Sequence, residues 1–210
     1  MTTQGDVEFV VHSIAGTALE QEEYFCQLDS VVGDGDFGYS LARGFERVIE
    51  EWDDYDRSDP GVFLQKVAKT IMSRVGGTSG PIWGTAFLRA GGALKGHAEA
   101  TGADVVAALR SSVEGIKARG QAELGEKTLL DALVPAIDTL EAELGRGAST
   151  ADSLTAVAAT AREAAEATAS MQARRGRASY TGERSIGSVD AGAMGIAVII
   201  EKLAEAWQQR

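Results

Sequence analysis

The sequence predicts an all-α protein. No stretch shows the sustained alternation of apolar and polar residues that a half-buried strand requires. Instead, about eight or nine segments carry apolar residues at helical spacing. The chain has 210 residues, of which 44% are hydrophobic. That is enough for one well-filled core, and we expect a single domain over residues 1–210.

The N-terminal half of the chain is expected to hold four helices. The first covers residues 7–28, with Gly16 as a potential break. The second follows an aspartate-rich loop and runs to about Trp52. The third begins at Asp59, which is a good cap, followed by Pro60 in the first turn. The fourth begins after the glycine-rich turn at 76–81. The candidate core positions of the first helix are Phe9, Val10, Ile14, Leu19, Phe25 and Leu28.

The C-terminal half is expected to hold four more helices. Residues 104–117 have an amphipathic pattern. Residues 128–144 form a helix that Pro135 is expected to kink. An alanine-rich helix covers 149–171, and Ser149 with Asp152 resembles a capping box. After a long polar loop at 174–192, the last helix runs from about 191 to 207.

The charge and the cysteine content exclude several classes of protein. The formal net charge is −11, and such a surface repels nucleic acid and anionic membranes. Cys26 is the single cysteine, so no intrachain disulfide is possible, and we interpret it as a small core residue. No signal-peptide pattern and no long apolar run is present, so a cytoplasmic protein is expected.

The most unusual stretch is the loop and helix start at 28–44. Asp29, Asp34 and Asp36 lie close together there, separated by glycines that allow tight turns. Three adjacent carboxylates suit a hard cation such as Mg²⁺, above all where phosphate completes its shell. The alternative is that these aspartates are ordinary turn and cap residues.

Three similar motifs do not fit. An EF-hand loop that started at Asp34 would need an acid at its twelfth position, where Phe45 stands. Residues 36–38 spell the kinase DFG, but the other kinase motifs are absent. Residues 120–128 nearly match a Walker A loop, but Glu126 intervenes before Lys127, and no strand precedes them.

Two further stretches have the composition of anion sites. Thr78 and Ser79 precede Pro81 at a helix start, where free N–H groups receive phosphate well. The loop at 174–192 carries Arg177 and three other arginines in an otherwise acidic chain, and arginine binds phosphate by paired hydrogen bonds. The alternatives are a flexible connector and a basic surface loop.

All three stretches precede helices, so an up-and-down bundle can bring them to one end. Together they would supply metal, backbone N–H groups and guanidinium, which are the parts that phosphoryl transfer needs. No pair of residues resembles a general base with its nucleophile. His12 and His97 are the only histidines, and neither lies in a motif.

The chain resembles the nucleotide-binding L subunit of dihydroxyacetone kinases, nearly from end to end. Four motifs in order carry the resemblance, namely DSVVGDGDFG at 29–38, GGTSGP at 76–81, GEKTLLD at 125–131 and GRASYTGERSIG at 176–187. The resemblance implies an antiparallel barrel of eight α-helices with a nucleotide at one end. It also implies no catalytic side chain beyond support from Arg177.

The same resemblance implies the site residues. Asp29, Asp34 and Asp36 would bind a pair of Mg²⁺ ions that bridge the phosphates of ADP or ATP. The nucleotide would contact Gly38, Tyr39, Ser40, Thr78, Ser79, Gly120, Leu129, Arg177, Asp190, Ala191 and Gly192. Three positions depart from the family pattern, with Phe37 in place of histidine, Ser40 in place of asparagine and Ala191 in place of proline.

The resemblance further implies a separate K subunit that holds dihydroxyacetone. The phosphoryl donor would be exchanging ATP or a phosphotransferase-system protein that recharges bound ADP. Three alternatives stay open. The first is the L subunit of a kinase for another short ketose, the second is a nucleotide-binding regulatory module without transfer activity, and the third is a purely structural helical bundle.

Overall fold

A computed structural model describes all 210 residues and confirms the all-α class. The helices are α1 (Gln4–Glu20), α2 (Glu22–Ser30), α3 (Phe37–Glu50), α4 (Pro60–Arg74), α5 (Ser79–Leu94), α6 (Gly102–Gly120), α7 (Leu130–Gly145), α8 (Thr150–Ala167) and α9 (Ala191–Gln208). Short 3-10 helices cover Trp52–Asp54, Thr168–Ser170 and Arg177–Ser185, and the last of these is kinked at Gly182. Extended pairing is limited to one isolated antiparallel bridge between Thr2 and Ala100.

The first predicted helix is divided in two, but at another residue than expected. Gly16 lies inside α1, so the predicted break there is wrong, and the interruption falls at Gln21. Because Gln21 alone separates α1 from α2, counting them together gives the eight helices that the resemblance implies. The buried stripe of α1 is also displaced from the predicted one, and it consists of Val7, Val11, Ala15, Thr17 and Ala18.

Three helix starts have the side-chain caps that the capping rules describe. Asp59 accepts a hydrogen bond from the backbone N–H of Val62 at 2.9 Å, and Pro60 is the first helical residue, as predicted. Ser149 accepts from the N–H of Asp152 at 3.1 Å. A complete capping box, which the sequence interpretation missed, opens α6 with Thr101 and Asp104.

The chain divides into two compact units, each built from two stretches. The first unit comprises Met1–Leu19 and Ser40–Gln121. Its aromatic centre is Phe45, whose ring lies edge-on to Trp83 and Phe87 at centroid distances of 6.2 and 6.1 Å. Helices α4 and α5 approach so closely that a Cβ on Gly61 would lie 2.3 Å from the carbonyl oxygen of Gly91.

The second unit comprises Glu20–Tyr39 and Ala122–Arg210. Ala161 and Ala165 on α8 are fully buried, so small side chains form part of the core of this unit. The guanidinium of Arg162 on α8 holds both carboxylate oxygens of Glu201 on α9.

No helix of the protein is both long and apolar enough to cross a membrane. A single domain over 1–210 stays a prediction.

Candidate functional site

The three aspartates of the 28–44 loop form one cluster. Each offers a carboxylate oxygen, and these oxygens lie within 4.8 Å of one another. Asp29 lies in the last turn of α2 and is partly buried, whereas the side chains of Asp34 and Asp36 are 42% and 49% exposed. The set consists of hard oxygen donors on one side of an accessible loop, which suits Mg²⁺.

Asp29 is fixed by the start of the next helix. Its Oδ2 accepts hydrogen bonds from the backbone N–H groups of Asp36 at 3.1 Å and Phe37 at 3.4 Å. The carboxylate therefore satisfies donors that the first turn of α3 would otherwise leave free. Gly33 makes room for it, since a Cβ there would lie 2.1 Å from Asp29 Oδ1.

Arg177 reaches the aspartate cluster from a distant part of the chain. It is the first residue of the 3-10 helix Arg177–Ser185. Its Nη1 contacts the carboxylates of Asp34 and Asp36, the latter at 3.2 Å. The sequence interpretation assigned Arg177 to the nucleotide, and the structure places its guanidinium on the predicted metal ligands. Opposite charge at this distance reduces the repulsion among the carboxylates.

The first turn of α3 packs directly on α2. A Cβ on Gly38 would lie 2.0 Å from the carbonyl oxygen of Glu22, so glycine is required there. The N–H of Tyr39 donates to Cys26 Sγ at 3.2 Å, and Cys26 is only partly buried. Cys26 therefore supports the loop, and its interpretation as a plain core residue is wrong.

Phe37, which stands where the family pattern has histidine, is a core residue. Its ring lies 5.7 Å from that of Phe25 on α2. It also packs on α9, where a Cβ on Gly195 would lie 3.2 Å from the Phe37 ring. The side chain is 9% exposed. The substitution therefore adds an apolar contact at the start of α3.

The first unit holds a second group of predicted residues. Ser40 lies beside the glycine-rich turn, since a Cβ on Gly76 would be 3.5 Å from Ser40 Oγ. Thr78 precedes α5 and makes no side-chain capping bond, and Ser79 is the first residue of that helix. A helix start without a side-chain cap offers backbone N–H donors to an anion. Gly120 ends α6, the last helix of this unit.

The remaining predicted residues lie at the starts of α7 and α9. Leu129 precedes α7, and a Cβ on Gly192 would lie 3.3 Å from Leu129 Cβ. Ala191 is the first residue of α9, and Asp190 caps this helix by accepting from the N–H of Ala193 at 2.8 Å. The structure thus brings Leu129 and the start of α9 together.

Asp190 has an unusual environment for a carboxylate. Burial, reinforced by the nearby charge of Asp131, raises the pKa of Asp190 to about 7 against the opposing effects of the Ala193 N–H and Lys127. The backbone N–H of Asp190 donates to Thr168 Oγ1 at 2.8 Å. These two hydrogen bonds hold Asp190 in place at the start of α9.

Two buried charged residues of the 125–131 motif received no individual role from the sequence. Asp131 accepts from the N–H groups of Gly125 at 2.5 Å and Thr128 at 2.7 Å, so it shapes the turn before α7. Lys127 is 2% exposed, and its ammonium binds only backbone carbonyls. The sequence signal that could have identified both residues was the presence of two charged side chains in a short turn just before a helix.

The two histidines have structural neighbours. The His12 ring lies edge-on to Trp52 at 5.3 Å. His97 Nδ1 lies 3.7 Å from a carboxylate oxygen of Asp104. The 174–192 loop also differs from an irregular connector, because it contains the 3-10 helix that carries Arg177.

Comparison with known proteins gives a consistent result. Residues 31–205 match the family model described as the DAK2 domain. The chain is 39% identical over 184 residues, 88% of each chain, to an Escherichia coli (strain K12) protein named the ADP-binding subunit DhaL of a PEP-dependent dihydroxyacetone kinase. It is 35% identical over 201 residues to the L-erythrulose 1-kinase of Mycolicibacterium smegmatis, covering 93% of this chain and 34% of that enzyme.

A solved structure is also similar, namely the dihydroxyacetone kinase from C. freundii in complex with AMP-PNP and Mg²⁺. The TM-score is 0.75 at 26% sequence identity, and the match covers 95% of this chain. This chain spans 33% of that kinase chain. From the family match and the identity to full-length relatives, the chain belongs to the DAK2-domain family.

Proposed function

We propose that this chain is the nucleotide-carrying subunit of a dihydroxyacetone kinase, a phosphotransferase that works with a second subunit. The observation that carries the proposal is the cluster of Asp29, Asp34 and Asp36, whose carboxylate oxygens lie within 4.8 Å of one another. An acidic cluster beside a helix start is the arrangement that a metal-bound phosphate chain needs. The identity to the E. coli ADP-binding subunit supports the same function.

The donor set fits magnesium. All three donors are carboxylate oxygens, and two of the side chains are about half exposed, so an ion can reach them. We propose two Mg²⁺ ions held by Asp29, Asp34 and Asp36. Bound Mg²⁺ would neutralise phosphate charge and orient the transferred group. The C. freundii kinase, which was solved with AMP-PNP and Mg²⁺, supports this cofactor pair.

The chain's own residues would hold the nucleotide by charge and hydrogen bonds. We propose that the N–H groups and hydroxyls at Thr78 and Ser79 bind phosphate oxygens, since α5 has no side-chain cap. Arg177 would neutralise developing negative charge next to the aspartates. Gly38, Tyr39, Ser40, Gly120, Leu129, Asp190, Ala191 and Gly192 complete the proposed contacts. No side chain is assigned as a base, because positioning and charge suffice for this reaction.

The proposed partner is a K subunit that binds dihydroxyacetone. This chain spans about a third of the C. freundii kinase chain. The E. coli relative is named as PEP-dependent, and this favours a phosphotransferase-system protein as phosphoryl donor over exchanging ATP. We propose that the chain acts with these partners in the cytoplasm. We propose no contact with nucleic acid or membrane, given the charge of −11.

The direct test is calorimetric titration of the metal-stripped chain with ADP and ATP, with and without Mg²⁺. Asp34→Ala should abolish Mg²⁺-dependent binding and keep the helical circular dichroism signal. The matched control is Asp53→Ala, which removes an exposed carboxylate from the 3-10 helix Trp52–Asp54 and should bind like the wild type. Wild-type levels of binding by Asp34→Ala would overturn the proposal.

A second candidate substrate is erythrulose. The M. smegmatis L-erythrulose 1-kinase matches 93% of this chain, so a closely similar domain serves a four-carbon ketose. Assaying this chain with a K-type partner against dihydroxyacetone and erythrulose separates the two. Turnover of neither, with intact nucleotide binding, would favour the regulatory module instead.

A further inference from the structure

Lys127 has the environment of a structural clamp inside the protein. The residue is 2% exposed, although lysine is rarely buried. Its backbone has a φ of 62°, a left-handed conformation that is uncommon for a residue other than glycine. The side chain of Lys127 points into the interior, although the residue lies in a turn between two helices. An uncommon backbone conformation of this kind persists where the surrounding contacts hold it in place.

The ammonium of Lys127 is saturated by backbone carbonyls. Nζ donates to the carbonyl oxygens of Met171 at 3.1 Å and Ser188 at 2.7 Å, and also to that of Ser185. A lysine ammonium has three N–H donors, so none is left for a ligand. Desolvation lowers the pKa of Lys127, and the charge of Asp190 opposes that effect.

The three carbonyls bracket the segment that carries Arg177. Met171 lies before the 3-10 helix Arg177–Ser185, Ser185 is its last residue, and Ser188 follows it. One buried cation therefore ties both ends of the 171–188 segment to the turn before α7. Further bonds close the base of the segment, including one from the N–H of Gly187 to the carbonyl oxygen of Ala169 at 2.8 Å.

Carbonyls that point into the protein need a donor, because an unsatisfied buried backbone group is costly. Lys127 supplies three donors at one point. A second side-chain tie joins the same turn and segment, from Arg175 to Glu126 at 2.6 Å. That pair is bidentate, because Arg175 Nε and Nη2 donate to the two carboxylate oxygens of Glu126, but the Arg175 side chain is 40% exposed and therefore open to solvent screening. Lys127 makes three bonds with a side chain that is 2% exposed, so it is the better protected of the two side-chain ties.

From this geometry we propose that Lys127 is a positioning residue for the nucleotide site, which fixes the 171–188 segment so that Arg177 reaches Asp34 and Asp36. Lys127 touches no ligand, and the proposed effect on nucleotide binding runs through Arg177. The inference rests on the proposed function for its effect on nucleotide binding. Its effect on the segment itself is independent of that function.

The first experiment measures the segment in nucleotide-free protein. K127M keeps an unbranched side chain and removes all three donors. Trypsin should then cleave at Arg174, Arg175, Arg177 or Arg184 at least ten times faster than in the wild type. The matched control, R175Q, removes the exposed tie and leaves the other three cleavage sites, so it should stay within about threefold of the wild type.

A general loss of stability must be distinguished from release of the segment. Val198→Ala shortens a buried side chain on α9 and gives a destabilised protein with Lys127 intact. Cleavage of K127M is therefore compared with that of V198A at temperatures an equal interval below their melting midpoints. Faster cleavage in K127M supports the proposal, and equal rates overturn it.

The second experiment is a double-mutant cycle on the affinity for ADP with Mg²⁺. K127M should weaken binding at least tenfold in the wild-type background and less than twofold in the R177A background, because the effect passes through Arg177. Equal weakening in both backgrounds would assign Lys127 a merely structural role and overturn the proposal that it positions Arg177. If the wild type binds no nucleotide, the proposed function fails, whereas the cleavage experiment still decides whether Lys127 holds the segment.

Discussion

At the scale of single residues, Asp29 connects the helix start to the acidic cluster. Its side chain accepts from the N–H groups of Asp36 and Phe37, and it also provides one of the three clustered carboxylates. Gly33 is what allows this position. Its φ is not in the left-handed region, so the absence of a side chain is its sole contribution.

Gly33→Ala is therefore expected to displace Asp29. A Cβ would lie 2.1 Å from Asp29 Oδ1, and the carboxylate must rotate away. We expect Mg²⁺-dependent ADP binding, measured by calorimetry, to weaken at least tenfold, about 1.4 kcal/mol or more. The control is Gly16→Ala, where a Cβ meets nothing within 4 Å, which should leave binding unchanged and add about 0.5–1 kcal/mol of stability. Unchanged binding in Gly33→Ala would contradict this role of Asp29.

At the scale of elements, the helix caps differ in the number of helices that each one contacts. The Asp59 carboxylate accepts from the N–H of Val62 at the start of α4 and from that of Gly96 at 2.7 Å, just beyond the end of α5. It therefore caps one helix and anchors the end of another. Ser149 accepts from Asp152 within its own helix start alone.

Replacement of each cap by alanine should reflect this difference. Asp59→Ala loses two hydrogen bonds to a charged acceptor, and we expect a loss of about 2–3 kcal/mol in the free energy of unfolding. Ser149→Ala loses two exposed hydrogen bonds, both to Asp152 within one helix start, and we expect about 1 kcal/mol. Urea denaturation of both variants measures the two values. Equal losses would show that the bond to Gly96 contributes nothing.

At the scale of the whole molecule, one carboxyl is expected to link stability to pH. The folded-state pKa of Asp190 is raised to about 7, chiefly by burial and then by Asp131, while the unfolded value is near 3.9. A raised pKa means that the folded state retains the proton. The stabilising contribution is therefore complete below about pH 4 and is lost as the pH rises through about 7.

Asp190→Asn removes this titration and keeps a side chain that can cap α9. Relative to this variant, the wild type should lose on the order of 2–4 kcal/mol of stability between pH 4 and pH 8, because each pKa unit corresponds to about 1.4 kcal/mol. Denaturation of both proteins across this range, without nucleotide, measures the difference. Parallel pH profiles would show that Asp190 ionises normally.

Much of the fold could be predicted because the relevant signals are local. Helical spacing of apolar residues and a cap such as Asp59 depend on residues within one or two turns of each other. The break at Gly16 was wrong because an exposed glycine inside a helix costs only about 1 kcal/mol, which neighbouring packing offsets. The buried face of α1 was misplaced because its surroundings come from distant parts of the chain.

The sequence by itself determined the all-α class, most helix positions and the identity of the three aspartates, since composition and short-range spacing specify all of these. Only the tertiary structure decided that Arg177 lies on the aspartates, that Phe37 packs on α2 and α9, and that a buried Lys127 ties the 171–188 segment. These contacts join residues far apart in sequence. They form because burial and charge pairing act through space, and no local pattern records which partners will meet.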